Sequence, residues 1–255
     1  MKFFHSILFT SILLFTACSK DEDTDDLINL SDYIESNQNF ELINELIACA
    51  AGDSEKITPL ETEVSLFFYP IEGSYEFRCF ETKTTDIQKD NYNNYEEKSY
   101  DLINVFGGYL KKFLVKDTGG EKWAIVTYKR DGKLHICNPV RYKHYSKPSE
   151  FNNDLIQTSS NATGPFFEWE NGRENDNAIF FQVISDENDN NNLITGTYTY
   201  DLKFQYYDTS NVVLNITSNN TNTTLETGAP YNFTLMGVSE DNWVNLVCMD
   251  NFIAQ

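Results

Sequence analysis

LETGAPYNFTLMGVS, residues 225–239, reads as a turn feeding a strand. Gly228 and Pro230 punctuate the chain, and Tyr231, Phe233 and Leu235 then fall on one face at a period of two. A second stretch, KWAIVTYKRDGKLHICNPV at 122–140, carries two such runs joined by Arg130, Asp131 and Gly132. Asp-Gly between alternating runs marks a β-hairpin, because glycine takes the positive φ that a tight hairpin turn requires. Further out, 64–68, 75–79, 109–115, 165–171, 178–185, 195–208, 212–217 and 243–253 also read as strands, separated by polar turns. Neither half carries a long segment of helical period. The fold class is all-β.

The spacing of strands and turns suits a sandwich, and the length of 255 residues suits two. The domains are expected at 53–145 and 146–255, parted at YSKPSE, residues 145–150. Residues 27–52 are ambiguous. Ser31 could N-cap a short helix, and 46–50 could be an opening strand.

Residues 225–239 resemble the E–F corner and F strand of a fibronectin type III domain, with Leu225, the turn at 228–230, then Tyr231, Phe233 and Leu235. In that family the tyrosine packs under the corner and its hydroxyl bonds back to upstream backbone. Trp169 then matches the B-strand core tryptophan, and 178–185 matches strand C. The first half resembles the same fold through FYPIEGSYEFRCF, residues 68–80, as a B-turn-C unit, and through 122–140 as an F–G hairpin. It departs in lacking a B-strand tryptophan and a tyrosine corner. The resemblance implies two tandem β-sandwiches and no particular site, since the fold carries many functions.

The N-terminus reads MKFFHSILFTSILLFTAC. Lys2 and a short apolar run that ends at Phe15 make a secretory signal over 1–17, too short to span a hydrocarbon core of about 30 Å. Small residues Thr16 and Ala17 lead into Cys18. FTAC followed by SKDED resembles the lipobox and acidic export tag of Bacteroidetes surface lipoproteins, although Phe15 stands where leucine is usual. The resemblance implies acylation of Cys18, with palmitate among the chains, an acidic tether over 18–52, and an outer-membrane location facing outward.

Charge and composition narrow the function. With 39 Asp and Glu against 19 Lys and Arg, a formal charge of -20 excludes nucleic acid, whose phosphates need a basic stripe. It also makes a covalent lipid or a partner the route to an anionic membrane. Three histidines, His5 among them in the signal, starve zinc and Ser/His or Cys/His schemes. The sequence holds no GxSxG, HExxH, SxxK or phosphate-cradling glycine loop, and implies no cofactor. Residues 186–192, DENDNNN, offer oxygen ligands but lack the glycine and glutamate of a calcium loop, so no metal is expected. Cys49, Cys79, Cys137 and Cys248 remain after Cys18. Cys79 shares a face with Phe77 and is expected inward, whereas Cys137, opposite Leu134 and Ile136, is expected outward, so free thiols are the leading reading and a disulfide among the four is the alternative.

These features favour a non-catalytic surface module, binding or spacing, that engages a glycan or another envelope protein. The alternative is a surface hydrolase built on a carboxylate pair. Trp243, with Asp241 and Asn242 beside it at the F–G loop, is the expected ligand site, its exposed indole stacking on a sugar or anchoring a partner. The competing reading makes Trp243 a core residue at the start of strand G.

Overall fold

The computed structural model describes residues 28–52, 63–116, 119–161, 164–217 and 224–255. The expected signal sequence, Cys18 and the acidic stretch that follows it lie outside the described residues. Helix α1 (Leu30–Ser36) is capped by Asn29, whose side chain accepts from the Ser31 amide at 2.8 Å, rather than by Ser31 itself. Among the described residues no helix is long and apolar enough to cross a membrane.

The first half supplies β1 (Glu41–Leu46), β2 (Ala48–Gly52), β3 (Val64–Phe68), β4 (Tyr75–Glu81) and β5 (Glu96–Lys98). It continues with β6 (Asp101–Val105), β7 (Leu110–Val115), β8 (Trp123–Arg130), β9 (Lys133–Cys137) and β10 (Val140–Arg141). One sheet runs β1-β9-β8-β4-β5, with β10 also on β8, and the other runs β2-β3-β7-β6. Lettered as in an immunoglobulin domain, β9-β8-β4-β5 are G-F-C-C′ and β2-β3-β7-β6 are A-B-E-D. Residues 41–52, ambiguous in sequence with a strand at 46–50 as one reading, therefore supply two strands of the first sandwich.

The second half supplies β11 (Glu150–Phe151), β12 (Ile156–Asn161), β13 (Gly164–Trp169), β14 (Asn177–Asp186) and β15 (Asn192–Thr199). Then come β16 (Lys203–Gln205), β17 (Val212–Asn215), β18 (Pro230–Ser239) and β19 (Val244–Ile253). Its sheets are β12-β13-β16 and β11-β19-β18-β14-β15-β17. Both halves open alike. A short strand runs parallel to the last hairpin strand, β1 on β9 and β11 on β19, before the chain crosses to the opposite sheet.

The fibronectin-like corner forms as its residues predict. The Tyr231 hydroxyl accepts from the Glu226 amide at 3.0 Å, and its ring stacks 5.8 Å from Phe252. Trp169 and Leu225 are buried in the second core, where Phe167 lies 3.8 Å from Phe233 with the rings nearly parallel.

The sandwiches do not follow one another as separate beads. A third apolar layer lies between them. Ala51 and Leu110, with half-buried Cys49, Phe67 and Tyr69, meet Phe181, Val183, Tyr198, Met236 and Val238 of the six-stranded sheet. The β2-β3-β7-β6 sheet thus backs onto the second sandwich, and the molecule stacks four sheets. This explains the nearly continuous apolar run of β14: Phe180 and Ile184 face one core, Phe181 and Val183 the other.

A similar double burial corrects the expectation for Cys137. α1 covers the outer face of the first sandwich, with Tyr33 5.4 Å from Phe80. Both faces of β8 and β9 are then buried, Cys137 included, and alternation ceases to tell inside from outside. Cys49, Cys79, Cys137 and Cys248 are free thiols.

Replacing Tyr231 with Phe removes one hydrogen bond while keeping the ring. Urea unfolding of Tyr231→Phe is expected to show a loss of about 1 kcal/mol with an unchanged m-value.

Candidate functional site

The β18–β19 hairpin ends in residues 240–242, closed by Asn242 N donating to Ser239 O at 2.9 Å, with Asn242 at φ +62°. This tip is inserted into the first sandwich. The Ala50 amide donates to Asn242 O and the Arg141 amide to Asp241 O, both at 2.9 Å. Asn242 Nδ2 donates to Pro139 O at 3.3 Å, and Lys143 Nζ pairs with Asp241 Oδ1 at 2.7 Å. Trp243 is 0 % exposed and belongs to the core of the first sandwich, its Nε1 donating to Lys147 O at 2.7 Å.

The expectation of an exposed ligand site at Trp243, Asp241 and Asn242 is corrected. The indole needs apolar neighbours and one acceptor, and the first sandwich together with the linker supplies both. Trp243 is a core residue, but of the other domain. These three residues lock the sandwiches together.

The joint also makes an open groove of about 610 Å³. One wall is the β3–β4 turn with Tyr69, Ile71 and Ser74; another is the turn before β7, with Gly107, Gly108 and Tyr109. Phe77, Lys111 and Arg130 line it from the first sandwich, and Ile216 and Thr217 from the second. The wall is pinned across the joint, since the Tyr69 hydroxyl donates to Ile216 O at 3.0 Å. Gly107, at φ +65°, abuts Asn192 so closely that a Cβ there would lie 1.7 Å from Asn192 Oδ1. Only glycine permits that approach. The sequence reading had the turn at 70–74 but not the groove, because its other wall lies more than 30 residues further along the chain.

Two carboxylates away from the groove, Glu76 and Glu81, are engaged. Glu76, a left-handed residue at φ +55° in a bulge of β4, accepts from Tyr33 Oη at 2.9 Å, Arg78 Nε at 3.2 Å and Lys129 Nζ at 2.8 Å. Burial pushes its carboxyl up, but the bonds from Lys129 and Tyr33 outweigh this and hold it below its usual range. Glu81, its side chain 0 % exposed, accepts from Tyr100 Oη and Tyr142 Oη at 2.9 Å each and pairs with Lys122 Nζ at 3.1 Å. Each acid is fully bonded. Burial pushes the thiols of Cys49, Cys137 and Cys248 up to about 12, which leaves them protonated and poorly nucleophilic at neutral pH.

Residues 186–192 fold into the β14–β15 turn, where carboxylates serve the loop itself: Asp186 Oδ1 accepts from Asn188 N at 2.9 Å and Asp189 Oδ2 from Asn192 Nδ2 at 2.7 Å. Among the described residues, no three potential metal-ligating side chains of the His, Cys, Asp and Glu types converge.

No protein-family model matches the chain, and no curated protein is significantly similar to it. Among solved structures, the chicken interferon gamma receptor alpha chain is 10 % identical with a TM-score of 0.23, over 76 % of this chain and 90 % of that one. A family 64 laminaripentaose-producing β-1,3-glucanase from Paenibacillus barengoltzii, complexed with laminarihexaose, is 14 % identical with a TM-score of 0.26, over 77 % of this chain and 50 % of that one. At such TM-scores neither likeness carries an argument.

Two outcomes follow from the joint. Trp243→Ala is expected to cost about 3–5 kcal/mol in chemical unfolding, as a large aromatic does when deleted from a core. A variant as stable as the parent would mean the ring is not wedged between the domains. The second concerns His144, in the linker, and His135. Both are buried and held below their ordinary value near 6.5, chiefly by burial. The unfolded chain therefore takes up protons that the folded chain resists. Their contribution is complete above about pH 6.5 and is lost as pH falls below it. Melting temperature should drop between about pH 7 and 5, and His144→Gln should flatten that drop.

Proposed function

We propose that the protein is a non-catalytic, Bacteroidetes-type surface lipoprotein, anchored in the outer membrane through acyl chains on Cys18. It presents its double sandwich outward as a binding module for a glycan or another envelope protein. The lipobox-like FTAC and the acidic SKDED support the anchor and its orientation.

The observation that carries the binding role is the groove at the joint. Clefts between domains are favoured places for ligands, and this one is preformed, because the Tyr69–Ile216 bond and the close Gly107–Asn192 contact hold its two walls against the second sandwich. Exposed Tyr109 and Ile71 offer it apolar surface, and Ser74 offers a hydroxyl. A spacer role draws on the same stacking, since four layered sheets make a stiff body. Glu76 and Glu81 favour this reading over a hydrolase. A catalytic carboxylate needs a free oxygen facing substrate, and both are tied to tyrosines and lysines.

Cells expressing Cys18→Ala should lose incorporation of a palmitate analogue, whereas protease shaving of intact parent cells should release the folded portion. Undiminished labelling in the variant would reject the anchor. The purified protein, screened against polysaccharides and envelope extracts, should retain a ligand that Tyr109→Ala releases. Retention unaffected by that change would move binding away from the groove.

A further inference from the structure

We infer that the groove at the joint takes an acidic sugar, a uronate or sulfated residue of a glycan, with Arg130 and Lys111 meeting its anionic group and Tyr109 stacking on its ring. This rests on reading the groove as a glycan site and specifies the chemistry of its ligand.

The first support is an inversion of charge. Acids outnumber bases 39 to 19 along the chain, yet the groove is lined by Lys111 and Arg130 against Glu72. A neutral sugar would need no such reversal.

The second is that both cations are positioned. Lys111 Nζ sits 5.4 Å over the Phe77 ring and 2.5 Å from Asn104 Oδ1, so the aromatic face and an amide hold the ammonium at the groove wall. Arg130 ends β8 just before the hairpin turn, and its Nε meets exposed Asp131 Oδ2 at 3.0 Å. A guanidinium carries five N–H donors in a planar fork, and that contact uses one of them. The fork suits the paired oxygens of a carboxylate or sulfate.

The third is shape. The two cations share the groove with Tyr69 and Tyr109, the latter 39 % exposed, so a sugar can present its apolar face to a ring and its anionic group to the fork. A volume of about 610 Å³ suits a few sugar residues rather than a protein epitope, which spreads over a flatter and larger area. The overall charge of -20 does not forbid an anionic guest. Repulsion from distant carboxylates is screened within about 8 Å at physiological salt, whereas contacts inside the groove are closer than that.

Calorimetry on the detergent-solubilised full-length protein tests the inference with three probes: a galacturonate trisaccharide, a sulfated galactose trisaccharide and neutral galactotriose. At least one acidic probe should bind about tenfold or more tightly than the neutral one, the effect of a charge-assisted hydrogen-bonded pair. Which acidic probe wins distinguishes carboxylate from sulfate. Arg130→Gln and, separately, Lys111→Gln should bring the affinity for the acidic probes down to that for the neutral probe in the same variant, with the melting temperature unchanged. Tyr109→Ala should weaken all three. Equal binding of neutral and acidic probes, or a preference that survives both charge variants, would overturn the acidic ligand and leave the groove a glycan site. Failure of every trisaccharide to bind would overturn both.

Discussion

The insertion of Trp243 into the core of a domain to which it does not belong is the constraint on which the rest of the molecule depends. The ring closes the first sandwich, and its Nε1 is satisfied by the linker carbonyl of Lys147. With the ring in place, the hairpin tip must lie against β2 and the chain around Pro139, where backbone bonds from Ala50 and Arg141 fix it. The buried pair Lys143–Asp241 adds direction rather than much stability, because desolvating two charges offsets most of their attraction. The third apolar layer then follows, since a tip held there brings Phe181, Val183 and Met236 onto the back of the β2-β3-β7-β6 sheet.

Much of the fold was legible because alternation and turn chemistry are local. Asp131-Gly132 marks the β8–β9 hairpin, and Tyr231 with the Gly228–Pro230 turn marks the corner, from a few neighbouring residues alone. Ala178, Phe180 and Ile184 sit on the strand expected of them. What was not legible is which partner a face meets. Trp243 at a hairpin tip reads either as an exposed anchor or as a core residue of its own domain, and Cys137 opposite Leu134 reads as exposed; each is buried by an element distant in sequence. Within 41–52 only 46–50 offers a strand to the sequence, and β1 was hidden for a related reason. β1 pairs parallel with β9, more than 80 residues away, and no local turn announces a parallel partner.

The candidate site follows the same division. The β3–β4 turn could be read, but a groove formed by two turns and the end of a third strand exists only once the sandwiches are stacked. Its cations, Lys111 and Arg130, are ordinary strand residues in sequence. Their proximity to Tyr69 and Tyr109 is a property of the folded first sandwich, and to Thr217 of the joint. The engaged acids tell a parallel story. In a chain this rich in carboxylates, proximity of two acids means little, and what distinguishes Glu76 and Glu81 is that each has three donors of its own.

The seating of residue 243 in the N-terminal sandwich also bears on biogenesis. A chain that emerges from a ribosome or an export channel N-terminus first exposes β1 to β10 long before the hairpin that completes their core. Until that hairpin arrives, the N-terminal sandwich has a vacancy the size of an indole and an uncovered apolar back. Its core is therefore completed only when the β18–β19 hairpin docks. By the same logic the two sandwiches are not interchangeable cassettes: cutting the chain in the linker severs one domain from its own core.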